Sequence, residues 1–187
     1  MIKQFLDAIH PIEDEILKEY QKHWKEITLP KKTIMTAAGD IERYFYFVIK
    51  GVQKSYYIHE GKPHVIAFTY APSFTGVPDS FFTQTPSPCF LETVTESTFL
   101  RIPFKDHHAM LEKHRSIETL FRKALESIFQ GIMTRYYQLM SLNAEERFKA
   151  FVERSPHLLQ IVSQKDIASY LKIDVSNFSK LMNKVRI

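Results

Sequence analysis

The residues of this chain that are best suited to a chemical task lie near its C-terminal end. Residues 163–187 read SQKDIASYLKIDVSNFSKLMNKVRI, and from residue 164 onward they hold five cations and two anions. Most of the chain's net charge of +4 is therefore found in this stretch (five minus two gives +3). Lysines and hydroxyls at a helix entrance suit phosphate contacts, and polar side chains on an exposed helix suit base edges. The pattern favours a nucleic-acid interface over a helical bundle with a solvated basic face.

The apolar residues of the same stretch predict two helices joined by a tight turn, the arrangement of a helix-turn-helix. Lys172-Ile173-Asp174 forms the predicted turn, and the small Ala168 stands where the two helices would cross. Ser163 and Asp174 can cap the two helices, with Asp166 as a capping-box variant, and Asn143 can cap an earlier helix. Apolar faces are predicted on both helices, at Ile167, Ala168 and Leu171 and at Val175, Phe178, Leu181 and Met182.

Histidine and cysteine provide weaker patterns. The densest of the eight histidines are His107, His108 and His114, with Glu112 four residues after His108. Because no HExxH or His-x-His pattern occurs, we interpret this cluster as a solvated helix face, and expect no metal and no cofactor. The single cysteine, Cys89, excludes an intramolecular disulfide and is predicted to be a buried small residue. No P-loop, GxSxG or GxGxxG is present, and we do not expect an enzyme.

Between these groups, residues 114–140 predict one long helix. Its apolar residues alternate in steps of three and one from Ile117 to Met140, which gives a wide apolar face over several turns. A small β-domain covers only part of such a face, so we expect the remainder to pack against the same helix of a second copy. The alternative is a helix that is wholly buried within one chain.

The first half of the chain predicts mainly strands. Residues 2–24 read as a helix in which Pro11 marks a helix start. Strands are predicted at 44–49, 52–59, 64–70, 89–94 and 98–102, separated by short polar turns, which indicates an antiparallel barrel or sandwich. Residues 71–88 contain four prolines and are predicted to be a loop with a short helix near 79–82. The fold class is therefore α+β.

In this order of parts the sequence resembles the Crp/Fnr regulators. The residues that carry the resemblance are FYFVIKGVQKSYY (45–57) and QKDIASYLKIDVSNFSKLMNK (164–184). The resemblance implies a cyclic-nucleotide-binding-like jelly-roll barrel over 1–113, a dimerisation helix over 114–141 and a helix-turn-helix over 142–187. It also implies double-stranded DNA with an inverted-repeat operator as partner, and a homodimer. The residues expected at the DNA are Ser163, Gln164, Lys165, Val175, Ser176, Asn177 and Lys180.

Two positions depart from that family's pattern near the DNA. Lys172 stands where the family often has a glycine in the turn, and a left-handed lysine costs on the order of 1 kcal/mol relative to glycine. The sequence ends at Ile187 directly after the second helix, so we expect the wing hairpin of the family to be absent.

The effector site departs further. The family binds a cyclic nucleotide with a Gly-Glu pair and an Arg-Ser pair, whereas this chain has Gly76-Val77 and Ser87-Pro88. A buried phosphate without the arginine would lack its paired charge. We therefore expect that cAMP is not the ligand and that an unidentified small molecule, or none, binds instead, near Phe74, Gly76, Val77, Ser87, Pro88 and Cys89.

Two alternatives remain open for the function. The chain could be a small-molecule-binding or signalling module whose C-terminal helices serve assembly only, and a cupin-like metalloenzyme is the weakest reading. No apolar run approaches the roughly 20 residues that span a bilayer, and the N-terminus lacks a secretory core, so we expect a cytoplasmic protein.

Overall fold

The computed structural model describes residues 2–184, which form nine helices and eight strands within that range. The helices are α1 (Ile2–Ile9), α2 (Asp14–Gln21), α3 (Pro78–Thr83), α4 (Phe104–Lys113), α5 (Arg115–Ser141), α6 (Ala144–Arg154), α7 (Leu158–Ile161), α8 (Gln164–Leu171) and α9 (Val175–Lys184). The strands are β1 (Lys25–Leu29), β2 (Ile34–Thr36), β3 (Tyr44–Lys50), β4 (Val52–His59), β5 (Lys62–Tyr70), β6 (Ser73–Thr75), β7 (Phe90–Thr93) and β8 (Ser97–Pro103).

The strands form two four-stranded antiparallel sheets, with strand orders β1-β8-β3-β6 and β2-β7-β4-β5. This order is that of a double-sheet jelly roll. The expected closed barrel is wrong, because no ladder joins the two sheets among the described strands. The three-residue strands β2 and β6 lie at sheet edges and are too short to supply a closing ladder. The α+β class and the five predicted strands are confirmed.

The N-terminal region differs from its prediction. Two short helices replace the single helix expected over 2–24, and Pro11 lies between them. Proline disfavours helical backbone at the residue before it, which is consistent with α1 ending at Ile9 and α2 beginning only at Asp14.

The strand β3 is buried on both of its faces. Phe45 and Phe47 point toward the helices and pack with Tyr20, Phe74 and Phe121, whereas Tyr46 and Val48 point between the sheets and pack with Phe99. Burial on both faces explains why this strand reads as a continuous apolar run rather than an alternating one.

A tight crossing of the chain fixes the turn between β3 and β4. Gly51 has φ +98, and a Cβ added there would lie 2.2 Å from Ser97 Oγ and 2.7 Å from the carbonyl oxygen of Glu96. Only glycine fits this backbone and this space.

Candidate nucleic-acid interface and ligand cavities

At three positions the helix pair α8–α9 has the structure that its sequence predicts. The Ser163 hydroxyl accepts the backbone N–H of Asp166 at 3.1 Å and so caps α8. Lys172 ends that helix in the left-handed region, with φ 55 and ψ 47. Ala168 is fully buried, and its carbonyl oxygen accepts the N–H of Ile173 at 3.0 Å. A three-residue connection thus sets α9 against α8, with Phe178 buried between them and α6.

All seven residues expected at DNA lie at the beginnings of α8 and α9, and each of them is exposed. Three of these residues lie at the N-terminal end of α8 and four on the first turns of α9; they are Ser163, Gln164 and Lys165, and Val175, Ser176, Asn177 and Lys180. The N-terminus of α8 adds unpaired N–H groups and a positive dipole end, which attract phosphate. Geometrically, this surface can offer polar side chains from α9 to base edges and cations to phosphates.

The opposite side of α8 packs on the sheet β2-β7-β4-β5. Lys54 of β4 lies 3.2 Å from the Asp166 carboxylate and 3.9 Å from that of Glu92, with all three side chains mostly buried. The N–H of Val65 donates to Ser169 Oγ at 3.0 Å. This contact between α8 and the sheet is here called the junction. The Asp166 carboxylate binds Lys54 across it, and of the predicted capping box only the bond from the Asp166 N–H to the Ser163 hydroxyl is present.

Tyr170 lies at the centre of this junction. The Arg135 guanidinium of α5 lies 3.4 Å from the ring centroid of Tyr170 and donates to its carbonyl oxygen. Arg154 of α6 donates to the Tyr170 hydroxyl at 2.9 Å, and Phe68 of β5 packs against the ring. Burial lowers the pKa of Arg135. One aromatic ring thus contacts the sheet, the long helix and the C-terminal helices together.

The helix α5 is buried in its first half and exposed in its second. Ile117, Leu120, Phe121 and Ala124 pack against the jelly roll. Beyond them a stripe of large apolar side chains faces solvent, here called the α5 stripe: Leu125, Ile128, Phe129, Ile132, Tyr136, Tyr137 and Met140. Phe129 is 63% and Met140 72% exposed, which is unusual for side chains in a contiguous patch.

The residues predicted around the effector do not form one pocket. Val77 and Cys89 pack with Leu91 between the sheets, and the Ser87 hydroxyl donates to the Cys89 carbonyl oxygen at 2.6 Å. Phe74 points the other way, into the helix-side core. Gly76 is half-buried and Pro88 is exposed. Burial raises the pKa of the Cys89 thiol, as expected for a buried small residue and not for a nucleophile.

A cavity of about 500 Å³, here called the Arg101 cavity, opens between β1, β2, the start of β3 and the end of β8. Ile27, Ile34 and Ile41 form apolar walls, and Tyr46 and Arg101 place polar groups in it. Its size falls in the range typical of small-molecule sites. The sequence analysis did not predict this cavity. One signal could have indicated it: Arg101 lies within a strand on the same face as the buried Phe99, where a charged residue is unusual.

Glu42 forms the floor of the Arg101 cavity. Its carboxylate accepts the Thr36 hydroxyl at 2.6 Å and the N–H of Tyr44 at 3.2 Å, and its own N–H donates to Ser80 Oγ at 2.9 Å. Burial raises the pKa of Glu42, although these hydrogen bonds oppose the change. Glu42 thus ties β2 and β3 to α3.

A second buried titratable group is His107 of α4. Its Nδ1 forms a hydrogen bond with the Tyr20 hydroxyl at 2.8 Å, while Nε2 has no partner among the described atoms. Desolvation by Phe45, Phe81 and the rings around them lowers the pKa of His107 to about 3, so the ring is neutral at pH 7. The expected solvated cluster is therefore corrected: His108 is exposed and pairs with Glu112 at 3.3 Å, but His107 belongs to the core.

Comparison with known proteins gives one match to a family model. Residues 26–114 match the model of the cyclic nucleotide-binding domain. No curated protein sequence matches the chain.

Solved structures of Crp/Fnr-type proteins resemble the chain beyond this domain. FixK2 from Bradyrhizobium japonicum has a TM-score of 0.73 at 16% identity, with 86% of this chain and 83% of FixK2 covered. A Crp/Fnr-family protein from Eubacterium rectale has a TM-score of 0.73 at 12% identity, covering 92% and 83%. The c-di-GMP-responsive regulator CLP from Xanthomonas campestris has a TM-score of 0.68 at 15% identity, covering 92% and 91%. The chain therefore resembles the Crp/Fnr regulators in fold.

The part of the chain that the structure describes has neither a cluster of metal ligands nor a membrane-spanning helix. Among residues 2–184, no group of three or more His, Cys, Asp or Glu side chains could hold a metal ion. Within the same range, no helix is long and apolar enough to cross a bilayer.

Proposed function

We propose that this protein is a DNA-binding transcription regulator of the Crp/Fnr type. The observation that carries this proposal is the helix pair α8–α9, in which all seven residues expected at DNA are exposed at the beginnings of two helices joined by a three-residue turn. In a helix-turn-helix, the second helix enters the major groove and its first residues meet base edges. Here these residues are Val175, Ser176 and Asn177, followed by Lys180 one turn later.

The proposed active form is a homodimer joined by the α5 stripe. Seven large apolar side chains are exposed on one helix, beyond what the jelly roll of one chain covers. A second copy of α5 supplies a matching apolar surface under twofold symmetry. The two α9 helices would then meet successive major grooves, about 34 Å apart, on one face of an inverted repeat.

The proposed regulator responds to a small molecule other than a cyclic nucleotide. Val77 and Ser87 stand where the family's glutamate and arginine would be, and both are buried among apolar neighbours. A cyclic phosphate next to Ser87 would be desolvated without a paired cation.

Selection from a random pool of duplexes at low ionic strength tests the proposal. The wild-type protein is expected to enrich sequences that share an inverted repeat. Lys31→Ala, an exposed cation in the turn between β1 and β2, is the matched control and should enrich the same repeat. If no duplex is enriched, the alternative in which the C-terminal helices serve assembly only replaces this function.

A further inference from the structure

The Arg101 cavity contains a cation without a carboxylate partner. Arg101 lies with its guanidinium 4.3 Å from the centroid of the Tyr44 ring, and it forms no ion pair with any of residues 2–184. Of the two acids in the cavity wall, Glu42 uses its oxygens for Thr36 and for the backbone of Tyr44. The guanidinium thus retains free donors that face the cavity.

A second cation lies beside Arg101. Strand β8 sits between β1 and β3, and the register pairs Arg101 with Lys25 on one side and with Tyr46 on the other. Side chains directly opposite on neighbouring strands lie about 5 Å apart at Cβ, where like charges destabilise a sheet. Lys25 also lacks an ion pair within the described part of the chain. An anion between them would convert this repulsion into attraction.

Tyr46 adds a buried hydrogen-bonding group to the two cations. The residue is 4% exposed, yet it lines the cavity. Burial and the Glu42 carboxylate raise the pKa of Tyr46, so its phenol stays protonated and can donate a hydrogen bond. Arg101 lowers the pKa of Tyr46, because its positive charge lies next to the phenol.

The remaining walls limit the shape and charge of a ligand. Ile34 and Ile41 are exposed at the rim of the cavity, and Leu29 and Met35 lie deeper. These walls suit an apolar body of several carbon atoms. Asp40, Glu42 and Arg43 also line the cavity, and the two acidic groups favour a singly charged head group over a phosphate dianion.

We propose that the Arg101 cavity binds a small organic acid with one carboxylate and an apolar body, held by Arg101 and the Tyr46 hydroxyl. Arginine and carboxylate form two parallel charge-assisted hydrogen bonds, which fix the orientation of the acid. The residues that line this cavity include none of residues 74–89, at which the family's nucleotide would bind, although its wall contacts them where Ile41 bridges to Pro86 and the Asp40 carbonyl accepts the N–H of Ser87. The inference rests on the proposed function in one respect, that the acid would be the effector of the regulator.

Isothermal titration and saturation-transfer NMR with five probes test the site on the full chain. The probes, each at pH 7, are hexanoate and benzoate, their neutral counterparts hexanamide and benzamide, and hexyl phosphate. We expect each acid to bind roughly 10- to 100-fold more tightly than its amide, since only the acid forms charge-assisted hydrogen bonds. Acids that bind no better than amides would overturn the proposal, and so would hexyl phosphate binding more tightly than hexanoate.

Substitutions locate the binding. Arg101→Gln should remove the preference for acid over amide, Arg101→Lys should retain part of it, and Tyr46→Phe should weaken hexanoate by a smaller factor. Arg115→Gln is the matched control, because Arg115 is exposed on α5 and paired with Glu118. Far-UV circular dichroism and thermal unfolding verify that each variant is folded. An unchanged affinity for hexanoate in folded Arg101→Gln would refute the site.

The failure of this inference can be told from failure of the proposed function. Acid binding is measured without DNA, and duplex selection is performed without acid. A chain that selects an inverted repeat but shows no preference for acids refutes the site alone. A chain that binds hexanoate through Arg101 but selects no duplex retains the site and refutes the regulator.

Discussion

Replacing Ile128 and Ile132 by glutamate tests whether the α5 stripe joins two copies of the chain. In one copy Ile128 is 37% and Ile132 59% exposed. Burying a whole isoleucine side chain stabilises by about 1.5–3 kcal/mol, so covering these two exposed fractions contributes roughly 1.5–3 kcal/mol per protomer. A symmetric dimer contains both residues twice, which gives roughly 3–6 kcal/mol and a 10²- to 10⁴-fold change in the dimer Kd.

Glutamate adds a further penalty, because four carboxylates would be brought into one apolar seam. Gln130→Glu is the matched control: residue 130 is exposed on the same helix but lies about 200° around the axis from both isoleucines. Sedimentation equilibrium at micromolar concentration should give dimers for the wild type and for Gln130→Glu, and monomers or insoluble protein for Ile128→Glu/Ile132→Glu. A monomeric wild type at that concentration would refute the proposed interface.

Three further predictions concern the core, a turn and the family's ligand. The double variant Tyr20→Phe/His107→Phe should make the folded state less sensitive to acid. The pKa of His107 is about 3 in the folded chain and about 6.5 in the unfolded chain, so the unfolded chain binds the proton first as the pH falls. The wild type therefore loses stability as the pH falls below about 6.5. Urea unfolding should show the wild type losing roughly 2–3 kcal/mol more than the double variant between pH 7 and pH 4.5, and equal losses would contradict the buried histidine. Gly51→Ala should destabilise the fold by several kcal/mol or prevent folding. The control is Gly61→Ala, because Gly61 has φ +70 and no atom lies near a Cβ added there; this variant should lose about 1 kcal/mol of stability in thermal unfolding. Similar melting temperatures for the two variants would refute the tight crossing at Gly51. Calorimetry with cAMP and with cGMP should detect no binding near micromolar concentration, since Ser87 cannot replace an arginine; a micromolar Kd would mean that another cation serves the phosphate.

The elements that could be predicted from the sequence are those whose pattern is local. The helix α5 was predicted over 114–140 and spans Arg115–Ser141, because its apolar residues repeat with the helical period over seven turns. Asn143 and Ser163 were recognised as caps, and each accepts the N–H three residues later. The short strands β2 and β6 carry too few residues to show an alternation, and they were not predicted.

The site was less predictable, because it depends on contacts between distant parts of the chain. Lys54 binds Asp166 across the junction, and the Arg135 guanidinium lies over the Tyr170 ring. Both contacts follow from packing, and no sequence pattern near these residues indicates them. The same holds for the Arg101 cavity, where β1, β3 and β8 place Lys25, Tyr46 and Arg101 side by side. The seven residues expected at DNA were taken from the resemblance to the Crp/Fnr regulators, and whether they contact DNA is still a prediction.

The most direct test of the central claim is the affinity of the chain for its selected inverted repeat as a function of salt, measured by fluorescence anisotropy. We predict that Lys180→Ala and Ser176→Ala weaken the selected repeat by roughly 1–3 kcal/mol each if they read bases, with little effect on a scrambled duplex. Lys165→Ala should weaken both duplexes alike and reduce the slope of log K against log salt by about 1, because a phosphate contact acts by releasing counterions. The control Lys31→Ala should leave the affinity and the slope unchanged. The account is contradicted if the repeat and the scrambled duplex bind equally, or if all three variants of α8 and α9 bind as the wild type does.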